Sequence, residues 1–143
     1  MAKKKKTAGT TITRLHSVAR NARTVLASKL LDHGFYAGQD QIMLALGQAD
    51  GQTPGELAEK IGVRPPTVTK TINRLSEQGF VDRRASAEDG RQSHVFLTDA
   101  GRSALSAIKR AVRKTEENLL SGLTKKDRKR LRKLLVRLEA NLA

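Results

Sequence analysis

The sequence predicts a mainly α chain with one small β-hairpin, an α+β arrangement, and three observations carry that reading. Apolar residues recur at spacings of three and four at both ends of the chain and in its middle. Cap and stop residues bracket those stretches, with Thr53-Pro54 before Gly62, Thr98-Asp99, and Thr124 with Asp127. Only the stretch from Phe80 to Leu97 turns to β-branched and aromatic residues around a turn-forming loop. Residues 12–143 are expected to form one domain, preceded by a basic disordered tail at 1–11.

The elements follow in order. Ile12, Leu15, Ala19, Ala22, Leu26 and Leu30 form a narrow apolar seam, predicting a helix over 12–33. A corner at Gly34-Phe35-Tyr36-Ala37-Gly38 leads to a shorter helix from Gln39 to Leu46. Thr53 is a helix cap, Pro54 suits the first helical position, and Glu56 stands where a capping-box acid reaches back. Leu57, Ala58 and Ile61 share a stripe, and Gly62 ends this helix in the left-handed conformation. The next helix opens at Pro65-Pro66, buries Val68, Ile72 and Leu75, and closes at Gly79.

Phe80, Val81 and Arg83-Arg84 then read as a strand, Ser86-Ala87-Glu88-Asp89-Gly90 as its turn, and Gln92 to Leu97 as the return strand. Thr98 caps a long helix with a seam of Leu105, Ile108, Val112, Thr115 and Leu119, and Asp99 complements its dipole. After Ser121-Gly122-Leu123-Thr124, a final helix carries Leu131, Leu134, Leu135, Leu138 and Leu142, forming an antiparallel hairpin with the previous one.

Two short helices followed by a hairpin are the plan of a winged helix-turn-helix, here residues 39–97, which sets one helix in a DNA groove and the hairpin beside it. The second helix has the chemistry for that task. Thr67, Lys70, Thr71 and Arg74 project from its polar face with Asn73 at the flank, and no acid lies between Arg64 and Arg74. Lys and Arg suit phosphates or guanine edges, Asn suits adenine, and Thr meets thymine methyls or phosphate. On the hairpin, Arg84 and Arg91 are the candidate contacts, Arg91 for a narrow minor groove. Asp89 either orients the Arg91 guanidinium or makes local turn hydrogen bonds.

The run GFVDRRASAEDGRQSHVFLTDAG resembles the wing signature of the multiple-antibiotic-resistance-regulator (MarR) family, and LAEKIGVRPPTVTKTINRLSEQG resembles its helix pair. The resemblance is specific there and extends more loosely over residues 12–142. It implies that Pro66, Thr67, Thr69, Lys70 and Arg74 carry groove or phosphate contacts and that Asp89 and Arg91 form the wing tip. It also implies a homodimer joined by the first and last helices (12–33 and 104–143), bound to double-stranded DNA, and, as is common in the family, a small aromatic or phenolic effector, to which His16 and Arg20 add the option of an anion. Arg64 departs from the family's small polar cap, which points it to phosphate instead; Gly90 replaces a second wing-tip arginine. For an effector, Phe35 and Tyr36 are either contacts or packing residues, with His16 and Arg20, one helical turn apart, as a hydrogen-bond donor and a counter-charge.

Charge and composition narrow the function classes. The net charge of +14 is uneven: residues 1–11 carry +4, residues 53–97 only +1, and residues 98–143 carry +8. Positive charge on the DNA module is therefore arranged, not abundant. The remote charge supports an alternative reading, a sequence-tolerant nucleoid-type DNA binder using the basic tail and last helix. There is no cysteine, so no disulfide, cysteine metal site or thiol sensor exists in the chain. His16, His33 and His94 lie in separate elements without metal-ligand spacing, and no nucleophile elbow or phosphate-cradling loop occurs; no enzyme, metal or cofactor is expected. No apolar run approaches a membrane span, and the basic N-terminus leads into no signal-type apolar region, so a bacterial cytoplasmic location is expected. The combined expectation is a homodimeric, sequence-specific transcriptional regulator, acting as a repressor at a pseudo-palindromic operator.

Overall fold

The structure, a computed structural model, describes residues 9–85 and 92–143. Its elements run α1 (Thr11–Leu31), α2 (Gln39–Gln48), α3 (Pro54–Ile61), α4 (Pro65–Glu77), β1 (Val81–Ala85), β2 (Ser93–Leu97), α5 (Asp99–Leu119) and α6 (Lys125–Leu142). The expected fold, a winged helix-turn-helix in a mainly helical chain, is present.

The capping residues act as their chemistry dictates. Thr53 and Glu56 close a reciprocal capping box on α3, and Thr124 and Asp127 close another on α6. The Thr53 backbone N–H, followed by the Thr53 side chain, holds the Glu56 carboxyl below its usual range. Gly62 and Gly79, with φ of 68° and 85°, supply the left-handed turns that end α3 and follow α4. The first helix stops two residues earlier than its seam suggested. The N–H groups of His33 and Phe35 return to the Leu30 carbonyl, and that of Gly34 to Leu31, which terminates α1 at Leu31.

Leu57, Val68, Ile72, Leu75, Val81, Val95 and Leu97 form the core of the winged lobe, joined by Ile42, Met43 and Leu46 from α2 and Ile108 from α5. The first half of α5 packs on α2 and β2, and α1 also packs along α5, so α5 is the element shared by the lobe and the helical end. β1 and β2 pair antiparallel, Val81 opposite Leu97 and Arg83 opposite Val95.

A third edge was not foreseen. Val95 also donates to the Gln52 carbonyl at 2.8 Å, and its own carbonyl accepts from Gly51 at 3.0 Å. Nearby, the Asp50 carboxylate accepts the Leu97 N–H at 2.9 Å and pairs with Arg102 at 3.3 Å. Two or three extended residues have no periodicity to read, so this anchor is invisible to pattern analysis.

Asp40 at the start of α2 is buried, and that burial pushes its carboxyl above the usual range against opposing N–H groups of Asp40, Gly38 and Gln41. A raised folded value means that the native state holds the proton more tightly than the unfolded chain. Stability from this group is therefore full below the unfolded value and falls as pH rises through the folded one. Asp40→Asn, which keeps the shape without the charge, is expected to raise the thermal midpoint at pH 7, the gain shrinking as the pH approaches 4. A gain independent of pH would show that ionisation of Asp40 carries no cost.

Candidate nucleic-acid interface

The candidate surface is built on α4. Arg64 occupies the N-cap position with extended backbone and makes no side-chain cap, as its size and charge led us to expect, and Pro65 rigidifies the first turn. Val68, Ile72 and Leu75 are buried on one side. Pro66, Thr67, Thr69, Lys70, Asn73 and Arg74 stand exposed, with Thr71 half-buried at the margin. The Thr71 hydroxyl donates to the Thr67 carbonyl at 2.9 Å, which commits that proton to the helix's own backbone. Arg64, Lys70 and Arg74 keep this face positive with no intervening acid.

Strand alternation decides which hairpin arginine reaches α4. Val81 points into the core, so Arg83, two residues on, lies on the same face of the hairpin. From there its Nη2 donates to the Asn73 Oδ1. Arg84 lies on the opposite face, where its guanidinium sits 4.2 Å above the Phe96 ring, diagonal to it across the pair. The sequence reading named Arg84 and passed over Arg83; counting by two from buried Val81 was the signal that would have found it. Asp89 and Arg91 lie outside the described residues.

On the other flank, α4 meets the corner between α1 and α2. The Arg74 guanidinium lies 4.2 Å above the ring of Tyr36, and a groove of about 350 Å³ runs between Tyr36, Ala37 and Gln39 and the Lys70, Asn73, Arg74 and Glu77 side of α4. Asn73 and Arg74 are thus each tied to a partner outside α4, Asn73 to Arg83 and Arg74 to Tyr36.

The four residues considered for an effector are not gathered into one place. Phe35 is 1% exposed, its ring 4.6 Å from that of Phe80, which makes it core and leaves no face for a ligand. Phe80 is therefore committed to Phe35 as much as to the hairpin. Tyr36 is 45% exposed but turned to Arg74. His16 and Arg20 are exposed on α1. The apolar groove of about 240 Å³ between α1 and α5 is lined by Val18, Ala22, Val25, Thr115, Leu119, Asn21 and Asn118, and none of the four is among them. Among the described residues there is no group of His, Asp or Glu able to hold a metal ion and no helix long and apolar enough to cross a membrane.

Comparison with known proteins gives the same outline. A family model described as the MarR family matches residues 37–92. Among solved structures, the chain is similar to the transcriptional regulator SlyA, at 25% identity over 93% of this chain and 94% of that one, with a TM-score of 0.86. It is similar to a probable transcriptional regulator from Pseudomonas aeruginosa at 26% identity, over 90% and 96% of the two chains, with a TM-score of 0.83. It shares its fold with a mutant MarR from E. coli complexed with operator DNA, at 24% identity, 88% and 91% coverage and a TM-score of 0.82.

Proposed function

We propose that the chain, whose residues 37–92 match the MarR family, is a transcriptional regulator of that family and acts as a homodimeric repressor of a pseudo-palindromic operator. The observation that carries this reading is the polar face of α4, free of acid from Arg64 to Arg74 and exposed beside a hairpin that lends it Arg83. In this reading Pro66, Thr67, Thr69, Thr71 and Lys70 meet the groove wall or phosphates. Asn73 and Arg74 reach base edges, Arg64 and Arg84 meet flanking phosphates, and Asp89 and Arg91 form the wing tip. The E. coli protein of the same fold is complexed with operator DNA, and we carry that mode of binding to this chain.

Dimerisation is supported by what the single chain leaves uncovered. On α1, Ile12 is 61% exposed, and on α6 Leu134, Leu135, Leu138 and Leu142 are between 39% and 90% exposed. α6 buries no residue against its own chain. An 18-residue helix whose leucine seam is left 36% or more exposed gains little from propensity alone, so a second copy is the natural cover. Two lobes related by a twofold axis would then address half-sites about one helical turn of DNA apart. An effector, a small aromatic or anionic molecule, would relieve repression by preferring the dimer with its lobes splayed, and only by its differential affinity for that state. Phe35 takes no part in holding it, because its ring is sealed in the core.

A second reading has its own observation. Opposite its leucine seam, α6 presents Lys125, Lys129, Lys133 and Arg137 at successive fourth positions, within a helix of eight cations and two acids. Such a face suits phosphate backbones without regard to sequence. Competition decides between the two. At physiological salt, a duplex selected by the full chain from a randomised library should outcompete random duplex by about 10³-fold or more. Equal affinity for both would replace the repressor with the sequence-tolerant binder.

A further inference from the structure

We infer that Tyr36, outside the helix-turn-helix, is a positioning residue that aims Arg74 at DNA. The inference rests on the reading of α4 as the DNA-contacting helix. The two side chains are far apart in sequence and meet because the corner between α1 and α2 is fastened to the C-terminal half of α4. Gln39, 2% exposed, accepts the Tyr36 N–H at 2.9 Å through its Oε1 and donates from Nε2 to the Gln78 Oε1 at 2.7 Å. Gln78, the C-cap of α4, in turn donates to the Gly34 carbonyl at 3.0 Å. Phe35 between them is locked into the core against Phe80. With the backbone held on both sides and its neighbour pointing inward, Tyr36 has its ring directed outward, beneath the Arg74 guanidinium.

That contact has a purpose a packing contact lacks. Tyr36 is 45% exposed and stands outside the core cluster, so its removal empties no core. What it supplies is a π-face 4.2 Å from the guanidinium carbon, inside the range of about 6 Å at which the attraction operates. An exposed arginine otherwise samples many rotamers and loses them on binding, which weakens association. Held over the ring, Arg74 keeps its N–H groups at its edge free to donate while its plane is fixed. The corner thereby sets the direction of a side chain on a helix it does not belong to.

A double-mutant cycle tests this, using the full chain and the duplex it selects from a randomised library. Tyr36→Leu removes the ring, Tyr36→Phe keeps it, and each is made with Arg74 intact and with Arg74→Ala. Tyr36→Leu is expected to weaken binding about two- to fivefold per half-site, with an unchanged thermal midpoint. Tyr36→Phe should bind as the parent does. In the Arg74→Ala background, Tyr36→Leu should have no further effect, because its influence passes through Arg74. Equal losses in both backgrounds, or a loss with Tyr36→Phe as large as with Tyr36→Leu, would overturn the inference. So would parental affinity for Tyr36→Leu when Arg74→Ala alone is impaired. If Arg74→Ala itself binds like the parent, the failure lies instead with the assignment of Arg74 to DNA, and the inference falls with it.

Discussion

Gly101→Ala is expected to destabilise the fold by about 3 kcal/mol or more, at the upper end of what overpacking a core costs. Gly101 is buried in the first turn of α5, and a Cβ built there would stand 2.2 Å from the Phe80 carbonyl oxygen. That oxygen cannot step aside. It accepts the Thr98 N–H at 3.1 Å, while the Thr98 hydroxyl donates to the Gly79 carbonyl at 2.7 Å and accepts the Gly101 N–H at 3.0 Å. Relief would require α5 to lift from the start of β1, opening the helix cap and the hairpin base together. Alanine gains about 1 kcal/mol over glycine in helix propensity, which the clash outweighs. A urea titration checks this: the midpoint should fall by about 1 M or more at unchanged slope. An unchanged midpoint would mean that α5 pivots freely at its first turn.

Aspartate at both Leu135 and Leu138 is expected to separate the proposed dimer and weaken operator binding by about 10²- to 10⁴-fold. The two leucines are 40% and 39% exposed within one chain, so the substitutions open no cavity in the chain's own core. Across a twofold seam, however, each would place a carboxylate in an apolar contact, where burying an unpaired charge is costly. The loss of DNA affinity follows because two half-sites are then engaged separately, without the effective concentration that a linked pair provides. Sedimentation at micromolar concentration should show monomer for the variant and dimer for the parent, with helical content retained in α1 to α5. A variant that still sediments as a dimer would remove the α6 seam from the interface.

The legible parts of this protein were those with local causes. Thr53, Thr98 and Thr124 cap helices because a short hydroxyl next to an N-terminal turn has few other uses, and Gly62 and Gly79 end helices because they tolerate positive φ. The exposed face of α4 was legible for the same reason: burying Val68, Ile72 and Leu75 leaves Lys70, Asn73 and Arg74 outside. Less legible were the residues whose role depends on a neighbour distant in sequence. Phe35 and Tyr36 are adjacent and both aromatic, yet one is core and the other lies beneath Arg74. Arg83 and Arg84 are adjacent and identical, yet the pleat sends one to Asn73 and the other to Phe96.

By itself, then, the sequence determined the order and ends of the helices, the hairpin, and the residues on the outer face of α4. Periodicity, caps and turns act over a few residues, and those distances are written along the chain. Tertiary structure decided how that face is held: Gly101 against the Phe80 carbonyl, Asp50 and Gln52 on the far edge of β2, Arg83 on Asn73, and Tyr36 under Arg74. Each of these contacts depends on direction in space across elements separated in sequence. A glycine, a tyrosine or an arginine has no intrinsic preference that reveals which distant partner it will meet.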